Sequence, residues 1–190
     1  MSTLATRLEY LAQLIETPEF LERRGLGNEL AFYILDYDPA DELQIRAFIR
    51  YVTTHAPIRI VAINLFEAII TVFADEVGME TLWDLEQTAG SEALQEAMQP
   101  VLETDRLAQA IATTACDAQV VLLAGVGTAY PLIRSHSLLN RLHALLTDIP
   151  VVLFFPGQYT GTQMRLFGMM TDDHYYRALR IEPVVGRGKE

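Results

Sequence analysis

The chain has 190 residues, of which 51% are hydrophobic, and it carries a formal net charge of −11. The negative charge lies in residues 1–116, which contain seven arginines and 19 acidic residues, whereas residues 117–190 contain seven basic and six acidic ones. Because nucleic-acid binding requires clustered cations that neutralise phosphates, this distribution argues against a nucleic-acid partner and favours a basic protein partner.

The N-terminal segment predicts a short amphipathic helix, because Leu4, Leu8, Leu11 and Ile15 recur at helical spacing. This segment lacks the basic and continuous apolar parts of a secretory signal. No stretch of the chain approaches the roughly 18 apolar residues that a membrane span requires. We therefore expect a cytoplasmic protein without a membrane segment.

Apolar runs that alternate with amphipathic stretches predict a fold of strands and helices. The predicted strands lie at 31–37, 58–65, 120–124, 151–155 and 175–181. Runs that are apolar at every position are typical of parallel strands covered on both faces, and such strands need long, usually helical, connections. The sequence therefore predicts a three-layer α/β fold, Rossmann-like or P-loop-like, with a mainly parallel sheet of four to five strands and helices on both faces.

An acidic, helical stretch at 79–116 separates the second and third predicted strands. We expect breaks in it near 89–91 and at Pro100, since a proline removes a helical hydrogen bond. The stretch ends at Cys116, the single cysteine, which excludes an internal disulfide and is typical of a reducing cytosol. The chain is expected to form one α/β domain over 1–182, with a helical insertion at 79–116 and a flexible tail at 183–190.

The strand exits are the first place to look for chemistry, since open α/β sheets bind ligands outside the carboxyl ends of their strands. The glycine-rich loop after the third strand could cradle a phosphate, and Asp36 and Asp38 resemble a pair of carboxylates that hold magnesium. Both patterns are incomplete, because the loop lacks a P-loop lysine and the second aspartate lacks a following Gly-Thr. A tight turn at Gly125 and a helix N-cap at Asp38 explain the same residues more simply. A nucleotide- or magnesium-dependent phosphotransferase that uses Asp36, Asp38 and the Gly125 loop remains the alternative function. In a non-catalytic protein, Asp36, Asp38, Gly125, Gly127 and Thr128 are candidates for a vestigial ligand cleft.

The C-terminal third concentrates aromatic, methionine and arginine residues, the types enriched at protein interfaces. The alternative interpretation is that half of them are ordinary core residues. His136 and its neighbouring serines do not face one another on a helix, and no histidine or cysteine has metal-ligand spacing. We therefore expect no catalytic residue, metal or cofactor. The candidate partner-binding residues are Arg134, Ser135, His136, Tyr159, Arg165 and Phe167.

Four segments resemble the characteristic blocks of the BrxB family, small proteins of bacteriophage-exclusion (BREX) defence systems. They are RGLGNELAFYILDYDP, AGVGTAYPLIRSHSLLNRL, VVLFFPGQYTGTQMRLFG and DDHYYRALRI. The resemblance extends over nearly the whole chain and is weakest at 79–105. It implies a cytoplasmic component of an antiphage system that recognises self DNA by adenine methylation, in a family without established enzymatic activity.

The resemblance also implies a partner. BREX systems contain a methyltransferase, a large ATPase and PglZ, an alkaline-phosphatase-like protein, and the resemblance points to PglZ as the partner, with other BREX subunits as further candidates. We therefore predict a non-catalytic assembly or adaptor subunit. The aromatic and methionine content permits a homo-oligomer without requiring one.

Overall fold

A central sheet organises the computed structural model, which describes residues 2–22, 32–102, 105–133, 135–172 and 178–183. Within these ranges, five strands run parallel in the order β2-β3-β4-β1-β7, and two short strands extend β4. The strands are β1 (Phe32–Tyr37), β2 (Ile60–Asn64), β3 (Val120–Ala124), β4 (Val151–Tyr159), β5 (Met164–Leu166), β6 (Met170–Asp172) and β7 (Leu179–Arg180).

Helices cover both faces of this sheet. The first face carries α1 (Leu4–Leu14), α2 (Pro18–Leu21) and α3 (Glu42–His55). The second face carries α4 (Leu65–Val77), α5 (Met79–Leu102), α6 (Arg106–Thr114), α7 (Val126–Ala129) and α8 (Ser135–Leu145). The predicted three-layer α/β fold with a mainly parallel sheet is confirmed.

The central strand β3 is apolar at every position because each of its faces packs against helices. In β3, Val120 and Leu122 join the core under α1 and α3, whereas Val121 and Leu123 join the core under α4 to α8. All four side chains are fully buried. Successive side chains of a strand point to opposite faces, so a strand buried on both sides cannot alternate apolar and polar residues.

The end of β4 differs from the prediction. The strand continues past residue 155 to Tyr159, and its last three residues pair antiparallel with β5, which pairs in turn with β6. The predicted strand ends at residue 155 and the next predicted strand begins at 175, so this antiparallel pairing was missed from the sequence. We call β5, β6 and the end of β4, residues 157–172, the antiparallel extension.

The helical stretch after β2 also differs in detail. Gly90 has a φ of +86° and kinks α5, as predicted, but the helix continues past Pro100 to Leu102, so the predicted break there is wrong. The following helix, α6, buries Leu107, Ala108 and Ile111 and so belongs to the cover of the sheet.

The C-terminal end is described only in part. The last strand, β7, comprises Leu179–Arg180, whereas residues 175–177 of the predicted strand and 184–190 of the predicted tail lie outside the described residues. Across the described ranges, every helix is too short or too polar to cross a bilayer.

Candidate functional site

Asp36 lies at the carboxyl end of β1 and is bound by two arginines. Arg7 of α1 donates from Nη2 to Asp36 Oδ1 at 2.7 Å. Arg180 of β7 donates from Nε to Oδ1 and from Nη2 to Oδ2, both at 2.8 Å. The main-chain N–H of Tyr159 donates to Oδ2 at 3.1 Å. The carboxylate therefore joins α1, β1, β4 and β7 in one network.

This network keeps Asp36 ionised. Burial alone would raise its pKa, but the hydrogen bonds from Arg180, from the Tyr159 N–H and from Arg7 outweigh burial and hold the pKa below its usual value. The same hydrogen bond with Asp36 raises the pKa of Arg180. A carboxylate that accepts four hydrogen bonds from the protein has a structural role, and this geometry gives no support to Asp36 as a nucleophile.

The partners of Asp36 were not predicted from the sequence. Arg7, Tyr159 and Arg180 lie 29, 123 and 144 residues away from Asp36 along the chain, so no local motif connects them to it. One signal was available: Arg7 lies on the apolar face of α1 beside Leu8 and Leu11 and is buried with them. Because an arginine in such a position is seldom buried without a counter-charge, it indicates an acidic partner in the core.

The residues of the predicted ligand cleft are spread along one edge of the sheet. Asp38 is exposed and caps a 3₁₀ turn at Pro39–Asp41, where its Oδ1 accepts from the Ala40 N–H at 2.9 Å. Asp36 is the penultimate residue of β1, Gly125 follows β3, and β4 lies between these two strands. Two strand spacings separate them by about 10 Å. These five residues therefore do not surround one compact pocket, and a ligand cleft shared by them stays a prediction.

Gly125 forms a tight turn from β3 into α7. Its φ of +79° lies in the left-handed region, and a Cβ there would overlap Asn64 Oδ1. Asn64 uses that oxygen to cap α4, accepting from the N–H groups of Phe66 at 3.0 Å and Glu67 at 3.4 Å. Thr128 closes the turn by donating from Oγ1 to the Gly125 carbonyl at 2.9 Å.

A cleft of about 760 Å³ opens at the carboxyl ends of β2 and β3. Of the five predicted cleft residues, Gly125 lines it. The arginines and glutamates of its walls balance in charge, so the cleft has no electrostatic preference for an anion. Among the described residues, no three histidine, cysteine or acidic side chains lie together as metal ligands would. The charged and polar lining residues are Glu42, Arg46, Arg50, Asn64 and Glu67.

Tyr159 was predicted to lie on a partner-binding surface, but the structure places it in the core. Its side chain is 2% exposed. Its hydroxyl lies 2.8 Å from the Gly161 carbonyl and 3.0 Å from the Ala178 carbonyl, and it accepts from the Ala178 N–H at 2.9 Å. The hydroxyl thus fixes the chain as it enters β7, which explains why an aromatic residue with a polar end is found here.

Replacing Tyr159 with phenylalanine is therefore expected to lower the free energy of unfolding by about 1–3 kcal/mol, because the Ala178 main chain would be left buried without a partner. Chemical denaturation measures this loss. Tyr51→Phe is the matched control, since Tyr51 is 59% exposed, and it should change stability by no more than about 0.5 kcal/mol. Equal effects of the two substitutions would show that the buried hydroxyl does not hold β7.

The antiparallel extension presents the exposed candidate residues. Arg165 of β5 is exposed, and Met169 is 79% exposed. Phe167 is half-buried and packs on α7, where a Cβ at Gly127 would lie 2.8 Å from its Cζ. The structure thus brings Gly127 and Phe167 together.

The other candidate residues follow α7. Tyr130, directly after this helix, is 41% exposed. Ser135 and His136 begin α8, and Arg134 lies outside the described residues. We call Tyr130, Arg165, Phe167 and Met169 the extension surface.

Comparison with known proteins links these features to a family. The family model described as BREX protein BrxB matches residues 61–181. A protein with the same description from Bacillus cereus (strain H3081.97) is 35% identical over 189 residues, which cover 95% of this chain and 98% of that protein. Another from Escherichia coli O9:H4 (strain HS) is 31% identical over 187 residues, which cover 96% of this chain and 94% of that protein. No solved structure matches the chain.

Proposed function

The chain belongs to the BrxB family of BREX proteins, and we propose that it is a non-catalytic assembly subunit of a BREX phage-defence complex. Its partner in this proposal is PglZ, which it binds in the cytoplasm. The observation that carries the proposal is the extension surface, on which the side chains of Arg165, Met169 and Tyr130 are exposed. The net charge of −11 supports a protein partner over nucleic acid.

The extension surface has the composition and the support that an interface needs. Arginine and aromatic residues are the types that most often contribute large binding energies, and methionine is enriched at interfaces. The main chain of the extension is held by hydrogen bonds, such as the one from the Phe167 N–H to the Pro156 carbonyl at 2.9 Å. In the proposed complex, Arg165 pairs with a carboxylate of PglZ, while Met169 and Tyr130 supply apolar contact.

The proposal is tested by mixing the protein with the PglZ encoded beside it and measuring mass by size-exclusion chromatography with light scattering. A single co-eluting species is expected. Arg165→Glu should weaken the complex about 30-fold, since reversing a charge at an interface hot spot costs about 2 kcal/mol. Arg50→Glu is the matched control, because Arg50 is an exposed arginine on α3, away from the extension surface.

The outcomes distinguish the protein's role from the location of its surface. Two separate peaks with the wild-type chain would contradict the adaptor function. A complex that survives Arg165→Glu with unchanged affinity would keep the function and exclude the extension surface as its docking site. Equal weakening by Arg50→Glu would indicate a general charge effect rather than a specific contact.

A further inference from the structure

The two edges of the parallel sheet differ in how their main-chain groups are satisfied. At the β7 edge, the strand is two residues long, and the Arg7 side chain takes the place of a neighbouring strand. Its Nε donates to the Ile181 carbonyl at 2.9 Å and its Nη1 to the Asp36 carbonyl at 2.6 Å. A short strand whose neighbouring carbonyls already have partners does not pair with another chain.

The β2 edge has no comparable protection. Its five residues, Ile60–Asn64, include no proline and no charged side chain. The Arg59 carbonyl accepts from the Gln119 N–H on the β3 side at 2.8 Å, so the main-chain groups of Ile60 and Ala62 point outward by alternation. In the described part of the chain these outward groups have no main-chain partner, and Ala62 is exposed. An uncharged, open edge of this length is a template for another strand.

We propose that β2 pairs antiparallel with β2 of a second copy of this chain, so that one continuous sheet crosses a two-fold axis at Ala62. Such an interface uses the same edge on both copies and closes after two chains. The register centred on Ala62 places Ile60 opposite Asn64 of the second copy. By alternation the Asn64 N–H points to the outer edge, as the Ile60 main-chain groups do, whereas the Asn64 carbonyl begins α4. The small side chain of Ala62 leaves room for the two backbones at the axis.

Charge complementarity selects a second copy as the occupant. In this register Arg59, whose side chain is 63% exposed, lies opposite residue 65 of the second copy and beside its Glu67, in the first turn of α4. Arg59 shares the strand face of Val61 and Ile63, which pack in the same core as α4, the helix that carries Glu67. Within its own chain Glu67 lines the cleft near Arg46 of α3, an exposed arginine that leaves it free to contact a second cation. Because of the two-fold axis, the interface contains the Arg59–Glu67 ion pair twice.

The ion pair that Arg59 forms with Asp117 within one chain does not prevent Arg59 from pairing with Glu67 of the second copy. Arg59 Nη2 lies 3.0 Å from Asp117 Oδ2, but both side chains are more than 60% exposed. Ion pairs at such exposure contribute little, so the guanidinium can turn to Glu67 of the second copy. The edge is separate from the extension surface, so this inference does not depend on the proposed function.

Sedimentation equilibrium of the full chain across a concentration series tests the proposal. The wild-type protein is expected to approach the mass of two chains, and Ala62→Lys should give the mass of one, because a lysine at the edge blocks strand pairing while its exposed position preserves the fold. A wild-type monomer up to the solubility limit would overturn the proposal. An Ala62→Lys variant that remains dimeric would also overturn it, since another surface would then hold the two chains together.

A charge exchange tests the register. Arg59→Glu and Glu67→Arg should each weaken the dimer, and the double variant should restore it. Asp117→Asn removes only the pair within one chain and should leave the dimer intact. A double variant as weak as the two single variants would overturn the Arg59–Glu67 pairing and the register that predicts it. Circular dichroism of each variant is the control that tests whether the fold is retained.

Discussion

Replacing Asp36 with asparagine is expected to lower the free energy of unfolding by about 3–5 kcal/mol, the loss typical of breaking one side of a buried ion pair. Asp36 accepts four hydrogen bonds, three of them from arginine nitrogens. An asparagine would turn its NH₂ group toward some of these donors. The Arg7 side chain, 8% exposed, would lose its main counter-charge. Urea denaturation of the two proteins measures the difference.

Asp38→Asn is the matched control for Asp36→Asn. Asp38 is exposed and accepts from Ala40 at the start of a 3₁₀ turn, where asparagine is an equally good cap. The free energy of unfolding should therefore change by no more than about 0.5 kcal/mol. If Asp36 served a ligand rather than the fold, Asp36→Asn would leave the stability unchanged or raise it, because functional sites often reduce stability.

Acid titration adds an independent readout of the same carboxylate. The pKa of Asp36 is lowered in the folded state, so its contribution is present above the unfolded-state pKa of about 3.9 and is lost as the pH falls through the folded pKa. The stability difference between the wild type and Asp36→Asn should therefore be largest near neutral pH and shrink below about pH 4. A difference that is constant down to low pH would show that the charge of Asp36 is not its cause.

The parallel strands could be predicted from the sequence because strands that are covered on both faces consist almost entirely of apolar residues. Residues 120–124 are apolar throughout, and β3 has these same bounds. The order of the strands could not be predicted, since periodicity gives each element but not its neighbour. The two strands β5 and β6 have three residues each, and they exist because β4 continues beyond the sheet and offers its edge. No pattern within so few residues distinguishes them from a loop.

The candidate site was predicted in its parts but not in its assembly. The turn at Gly125 and the cap at Asp38 are local features, so neighbouring residues in the sequence specify them. The Asp36 network depends on Arg7 and Arg180, which only the folded chain brings together. Tyr159 resembled an interface residue by its type, yet residue type does not tell whether a tyrosine hydroxyl finds its partner in the protein or in solvent.

Gly157→Ala is expected to lower the free energy of unfolding by about 3 kcal/mol, at the upper end of the range for overpacked sites. A Cβ at Gly157 would overlap the Arg165 carbonyl oxygen and lie 3.0 Å from the Phe167 nitrogen. Both are main-chain atoms of the antiparallel extension, so no side-chain rotation relieves the clash. The strand β5 must move away from β4, and Arg165 moves with it.

Gly168→Ala separates this steric effect from backbone strain. Gly168 has a φ of +72° with no atom within 4 Å of its Cβ position, so alanine there costs only the left-handed conformation, about 1–2 kcal/mol. Gly157 also has a positive φ, 158°, but the close approach of two strands adds to this strain and makes its expected cost larger. Equal losses in urea denaturation would contradict that distinction. If the extension surface binds the partner, Gly157→Ala should also weaken the complex at a temperature where the chain is still folded, because the displaced β5 carries Arg165 out of position.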